Sequence, residues 1–478
     1  MYYYINMYIG ANYQPQSYII DTTSSITTSP CKPLCSHCGK HKYDYYEVQD
    51  VSSIIPCHSN VCSSLSSSCN NYNQCSFHSV FSEGSAISGV YVSKQVHFTS
   101  QRDNSSSTHI PIGCTSTESH SFYVQNENGI IGLSNSNTSF INVLYNKGMI
   151  KQNIFSLCVS NTGIGYISIG NIDNSYHKSH SKISYVPLYN PTDSFYTLEM
   201  KKLIFNKDLS ISVGSSKKLV VIDSGSVVSY IPHLYFEQTV HLLTKVICAS
   251  DNCGKYKLHD KLGICYTFNN STHLLRSVQL HWPEITLVLA KNVQYTLKPT
   301  NYFHNITNNN KYEACFGLVS TNENVFTFGL NWMSGHDVIF DKGNKRVGFV
   351  EADCNRNNSS EEVNGDEETK WNEVLEIEND NEEKELSKEV VIEDTNDTIK
   401  EESNSIDEHK IDVQYAKIYV LISNCMFIIV LIMSYCLYSL IYRIVRNNMF
   451  RLKEEHESGI RNGKQENNIE GEVEIAVQ

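Results

Sequence analysis

The 478-residue sequence has no surplus of positive charge: 38 Lys and Arg stand against 51 Asp and Glu, for a formal net charge of −13. That balance argues against a nucleic-acid partner, which is held by basic contacts to phosphate. A secretory leader is also missing. Met1–Ile9, MYYYINMYI, has no basic start, no apolar core and no small-residue cleavage site, so the expectation is that the chain as given lacks its signal peptide and any pro-segment. What is present points to the secretory route all the same. Of 16 cysteines, Cys425 and Cys436 fall in a late apolar segment and the rest in the body. Asn-x-Ser/Thr triplets stand at Asn104, Asn137, Asn270, Asn305 and Asn358. Together these describe a disulfide-bonded secretory protein. An apolar content of 40% supports a sizeable core in two or three domains.

The stretch that organises the chain is Leu219–Pro232, LVVIDSGSVVSYIP. It reads as a buried strand, a tight turn carrying Asp223 and a second strand. A carboxylate there needs something to share its charge, because desolvating it alone costs several kcal/mol. Ser17–Ser25, SYIIDTTSS, repeats the pattern around Asp21. Two copies of one acid-bearing turn suggest two similar lobes meeting at one site. Paired carboxylates cannot both ionise cheaply, so they hold one proton between them. Such a pair activates water as a base and protonates a leaving amine as an acid, which is peptide hydrolysis with neither metal nor cofactor.

Asp21-Thr22-Thr23-Ser24 and Asp223-Ser224-Gly225-Ser226 resemble the paired motifs of the pepsin-like aspartic proteases. The likeness runs over roughly residues 5 to 354. It takes in Ile9-Gly10, Glu83-Gly84-Ser85, Gly129–Ser134, Trp282–Ile285, Phe328-Gly329-Leu330 and Val338–Asp341 followed by Arg346–Phe349. The resemblance implies an all-β, bilobal fold with an N-terminal lobe over 1–175 and a C-terminal lobe over 176–354. It also implies that Thr22 and Ser224 bond across the lobe junction. Ser24 and Ser226, each three residues after an acid, are placed to bond the carboxylates.

Residues 31–75 carry Cys31, Cys35, Cys38, Cys57, Cys62, Cys69 and Cys75. An insertion of this kind resembles the nepenthesin-type branch of the family and the plasmepsin V-like, membrane-bound enzymes of apicomplexan parasites. Cys35 and Cys38 with His37 and His41 also fit a zinc reading, which an oxidising compartment disfavours; disulfides are the default and no metal is expected. Both lobes hold an odd number of cysteines up to residue 354. Full pairing therefore requires a bridge between lobes, and Cys158 with Cys354 is the candidate.

Residues 77–98 alternate apolar and polar about a Gly-Ser turn, the signature of a hairpin, and the resemblance makes this the flap over the substrate. It implies that Phe81, Glu83 and Gly84 face substrate. Glu83, with Gln125 as a second polar contact, would meet the arginine of an Arg-x-Leu type motif, since a carboxylate pairs bidentately with guanidinium. Two positions depart from the family pattern: Thr23 stands where it has glycine and Phe81 where it has tyrosine. They keep a competing reading open, an aspartic-protease fold that binds peptide or cargo without cutting; a cysteine-rich adhesion module is a third.

After Cys354 the composition turns to Glu, Asp, Asn, Lys and Ser, so 355–417 is expected to be a disordered acidic stalk. Ile418–Tyr442 is a charge-free run long enough to span a bilayer as a helix. Arg443, Arg446, Arg451 and Lys453 follow it, which puts the tail 443–478 in the cytosol by the positive-inside rule. The expectation is a single-pass type I membrane protein of the endoplasmic reticulum or Golgi, with a luminal aspartic endopeptidase acting on polypeptides of the secretory pathway.

Overall fold

The structure, a computed structural model, describes residues 2–48, 50–65, 67–98, 108–161, 163–205, 209–212, 218–247, 256–259, 262–268, 282–308, 311–355 and 374–379. The expected membrane span and cytosolic tail lie outside the described residues, as does most of the expected stalk. No helix among the described residues is long and apolar enough to cross a membrane.

The chain opens with Tyr3–Ile9 running antiparallel to Gln14–Asp21, Tyr4 opposite Ile19. The second of these strands is buried from Gln16 through Asp21, which is why Tyr18, Ile19 and Ile20 are consecutive apolar residues and do not alternate with polar ones. Gly129–Gly132 lies parallel beside it, with Asp21 opposite Gly132. The stretch expected to form the flap is a hairpin of Cys75–Val80 and Ala86–His97, closed at Val80 opposite Ala86, and its long second strand pairs with Thr108–Glu118.

The second half repeats the device. Thr197–Phe205 pairs with Lys218–Ile222, and Lys218–Ile222 lies parallel to Phe326–Phe328, Ile222 opposite Phe328. Ser229–Pro232 follows and runs straight into a 15-residue helix, His233–Ile247. That helix buries Tyr235, Phe236, Thr239, Val240, Leu243 and Ile247, a stripe at helical spacing. It is the main departure from an all-β reading.

Between the halves lies a sheet of antiparallel strands. Ile154–Val159 sits between Gly165–Ile169 and His336–Asp341, and Arg346–Glu351 and Ser184–Pro187 extend it. Phe155 stacks on Phe340 at 4.6 Å, and Tyr196 packs edge-on to Phe340 at 4.7 Å. Each such aromatic pair contributes about 0.5–1.5 kcal/mol beyond its buried area. Tyr196 also donates its hydroxyl to the Leu133 carbonyl at 2.9 Å, so the junction is keyed as well as packed. Cys158 and Cys354 are joined by a disulfide.

Disulfides also frame the cysteine-rich stretch: Cys31–Cys114, Cys35–Cys38, Cys57–Cys69 and Cys62–Cys75. Bonded to each other, Cys35 and Cys38 offer no thiolate, which removes the zinc reading. His41 instead points inward, one ring nitrogen 3.0 Å from Glu118 Oε2 and the other 3.1 Å from the Gln125 carbonyl.

One expectation needs correcting. Within the stretch taken as an unstructured stalk, Val374–Asn379 is a strand that pairs with Tyr3 and Tyr4 on one side and with Gly165–Ser168 on the other. Its sequence, VLEIEN, holds the β-branched residues Val374 and Ile377, and the facing edges hold backbone groups that gain partners by pairing. A composition average over the acidic stretch conceals it.

Candidate active site

Each acid sits at the end of a strand, where the chain turns. Asp21 closes Gln14–Asp21, and its carbonyl accepts the Leu133 N–H at 2.8 Å. Asp223 follows Lys218–Ile222 and donates its N–H to the Phe328 carbonyl at 2.9 Å. A neighbouring strand thus holds each turn by one backbone bond, the acid residue accepting in the first and donating in the second.

The next residues lock the two turns together. Thr22 donates its N–H to Ser224 Oγ (3.0 Å) and its hydroxyl to the Ile222 carbonyl (3.0 Å). Ser224 returns the pattern, its N–H to Thr22 Oγ1 (2.9 Å) and its hydroxyl to the Ile20 carbonyl (2.8 Å). Thr22 and Ser224 are both buried. Four reciprocal bonds across a dry junction hold the two carboxylates face to face, as geometry-dependent chemistry requires.

The carboxylates are not equivalent. Asp21 Oδ1 accepts from Thr23 N (2.8 Å), Thr23 Oγ1 (2.7 Å) and Ser24 N (3.1 Å), while Ser24 Oγ donates to Oδ2. Asp223 accepts from Gly225 N at 2.8 Å and Ser226 Oγ at 2.6 Å, with Thr23 Oγ1 at 3.4 Å. Burial, then the charge of Asp21, raises the Asp223 carboxyl to about 6, against the lowering pull of Ser226, Gly225 and Thr23. Four donors on its two oxygens suit Asp21 to carry the negative charge, and the raised Asp223 is the member suited to hold the proton.

Thr23 occupies the middle of this arrangement. In the other half-site a Cβ added to Gly225 would meet Asp21 Cγ and Oδ1 at 3.0 Å and Asp223 Oδ1 at 3.2 Å. There the glycine is needed for space. At Thr23 the side chain is accommodated by turning its hydroxyl toward both acids.

The hairpin expected to form the flap carries three of the expected substrate-facing residues, Phe81, Glu83 and Gly84. Phe81 packs at a tilt against Phe122, ring centroids 4.7 Å apart, and lies on a cluster that includes Ile19, Ile26 and Ile87. Gly84, at φ +90°, makes the tip, where its N–H donates to the Phe81 carbonyl at 2.9 Å. Glu83 is exposed there and accepts the Ser85 hydroxyl. Gln125 ends a short helix; its amide donates to the Glu127 carbonyl at 3.1 Å.

Sequence reasoning missed Tyr2 and Tyr230. Burial first, then neighbouring acids, raises both phenols: Glu83, Glu127 and Asp223 act on Tyr2, and Asp223 and Glu83 on Tyr230. Glu83 at the flap and Asp223 at the floor therefore bear on the same phenols. Tyr230 lies inside the stretch around the second acid, but nothing in its immediate sequence marks it as feeling the charge of Glu83.

Comparison with known proteins decides the family. The domain described as "Xylanase inhibitor N-terminal" matches residues 3–171 and "Xylanase inhibitor C-terminal" matches 197–351. The chain belongs to the pepsin-like aspartic proteases. It is similar to plasmepsin V of Plasmodium falciparum (isolate 3D7), 24% identical over 438 residues that cover 75% of this chain and 72% of that protein. Aspartic proteinase 36 of Arabidopsis thaliana is 22% identical, covering 74% of each chain. Aspartic protease 5 of Toxoplasma gondii is 24% identical over 74% of this chain and 36% of its own length. As a pepsin-like protease the protein is an aspartic-type endopeptidase, and its substrates are polypeptides.

Proposed function

We propose that this protein is a membrane-anchored endopeptidase that hydrolyses secretory or exported polypeptides with water activated between Asp21 and Asp223. The observation that carries the reading is the reciprocal locking of the two acid turns by Thr22 and Ser224, which leaves one carboxyl richly hydrogen-bonded and the other driven toward its protonated form. Asp21 takes a proton from water as its oxygen attacks the scissile carbonyl carbon, and Asp223 gives its proton to the carbonyl oxygen. Collapse of the tetrahedral intermediate breaks the C–N bond and passes a proton to the leaving amine.

Glu83 at the flap tip supplies the acid for an arginine, and the Arg-x-Leu class of motif fits that placement. The disulfide framework supports a luminal position in the endoplasmic reticulum or Golgi. The charge-free run Ile418–Tyr442, between Lys417 and Arg443, supports a single type I anchor. A second reading, peptide or cargo binding without cleavage, is favoured by Thr23, whose side chain stands between the acids. The matched domain descriptions, which name inhibitors, lean the same way.

The test is cleavage of a peptide library by the full chain between pH 4 and 7, beside Asp223→Ala and Glu83→Gln. The reading expects cuts at Arg-containing sites, abolished by the first variant and stripped of Arg preference by the second. Tight peptide binding with no cleavage at any pH selects the second reading.

A further inference from the structure

The Thr23 hydroxyl touches both candidate acids, Asp21 Oδ1 at 2.7 Å and Asp223 Oδ1 at 3.4 Å. A hydroxyl has one proton to donate. Two carboxylates alone cannot satisfy it from both sides, whereas one carboxylate and one carboxylic acid can: Asp223 Oδ1–H donates to Thr23 Oγ1, and Thr23 Oγ1–H donates to Asp21 Oδ1. The geometry points to a relay, in which the Thr23 side chain carries the shared proton between Asp223 and Asp21. The inference rests on reading these two acids as the catalytic pair.

The step balances. As the O–H bond of Asp223 breaks and its proton bonds to Thr23 Oγ1, the original Thr23 proton passes to Asp21 Oδ1. Asp21 ends as acid and Asp223 as carboxylate, with the hydroxyl restored and the total charge unchanged. Run in reverse, the relay restores Asp21 as the base after water has been split. Thr23 acts through the carboxyls and is a positioning residue for their proton.

Three observations support it. The Thr23 N–H and hydroxyl both bond Asp21 Oδ1, so the side chain is fixed on the oxygen it serves. The space at the equivalent Gly225 is closed, so the second half-site holds no counterpart. The raised Asp223 carboxyl keeps a proton available to donate in mildly acidic solution. The charge that bears on Asp223 comes from Asp21, while Glu83 and Glu127 bear with Asp223 on the phenols of Tyr2 and Tyr230. Of these acids, it is Asp21 whose charge favours retention of the proton on Asp223.

The experiment compares the full chain with Thr23→Val, which keeps the shape and removes the hydroxyl, with Thr23→Ser and, should valine fail to fold, with Thr23→Ala. Asp carboxyl carbons labelled with 13C report both titrations by NMR whether or not the protein cuts peptide, and kcat/KM is followed against pH. The relay predicts that Thr23→Val moves the lower-titrating carboxyl upward by losing the hydroxyl donor on Asp21 Oδ1. It also predicts a kcat/KM loss of about 10–100-fold, at the low end of what general acid–base groups contribute. Thr23→Ser should recover both readouts. Unchanged titrations in Thr23→Val overturn the relay, and so does activity equal to or above native in Thr23→Val or Thr23→Gly, which would make the side chain only an obstruction. A protein that cuts nothing while its titrations move as predicted overturns the protease reading and leaves the relay standing.

Discussion

Replacing Thr22 with valine isolates the worth of the inter-lobe lock. The two side chains have nearly the same shape, so no cavity opens at this buried position. What is lost is the hydroxyl that donates to the Ile222 carbonyl at 3.0 Å and accepts the Ser224 N–H at 2.9 Å. Both partners are backbone groups at a dry junction, and a buried group left without a partner costs about 1–3 kcal/mol. The sum, about 2–6 kcal/mol, is a large share of the 5–15 kcal/mol typical of a folded domain. Thr22→Ser keeps both bonds and gives up one methyl group, roughly 0.8 kcal/mol. Urea unfolding of the full chain, read at constant slope, should therefore rank native, serine and valine in that order. Combining Thr22→Val with Ser224→Ala should give a coupling energy of about 0.5–3 kcal/mol, as expected for residues that share bonds. A valine cost under about 1 kcal/mol with no coupling would refute the argument and mean that water reaches the junction and replaces the lost partners.

Three further outcomes follow from the site. Because the folded carboxyl of Asp223 lies above its ordinary value, at about 6, its contribution to stability is complete at pH below about 4 and is lost as pH rises through about 6; Asp223→Asn should flatten that limb of the unfolding free energy. By the same sign, cleavage should fall as pH passes about 6, where the pair loses its shared proton, and a rate still climbing at pH 8 would contradict the assignment. Burial opposes the charge on His41, yet the Glu118 carboxylate outweighs it and raises that imidazole. Glu118→Ala also strips the Gly39 N–H of its acceptor at 3.0 Å, so unfolding should become easier by about 3–5 kcal/mol, more at pH 5 than at pH 8. Equal losses at the two pH values would mean that His41 is neutral throughout.

The acid-bearing turns were legible because their signal is local: an apolar run into Asp and then hydroxyl residues, written twice. The hydroxyl spacing carried further still, since Ser24 and Ser226 each reach the acid three residues before them. The flap hairpin was legible for the same reason, as strand alternation on both sides of a Gly-Ser turn. The helix His233–Ile247 buries positions at helical spacing, but it follows the strand Ser229–Pro232 with no turn between them, so no local signal marks the change of period. Val374–Asn379 was hidden by the charge around it, since its pairing depends on edges far away in sequence. The roles of Tyr2, Tyr230 and His41 are tertiary facts. A tyrosine that feels the charge of a distant acid and a histidine buried against an acid on a distant strand carry no local mark.

The Cys158–Cys354 bridge spans a sequence separation of 196 residues, so nearly the whole second half of the protease is a covalent ring that opens and closes at one point. Asp223 lies on that ring and Asp21 outside it. A nick in any loop of the ring, by self-cleavage or by another protease, severs the chain without freeing a fragment. The cut protein would migrate as one species until its disulfides are reduced, with the reciprocal bonds of Thr22 and Ser224 still available to hold both acids together.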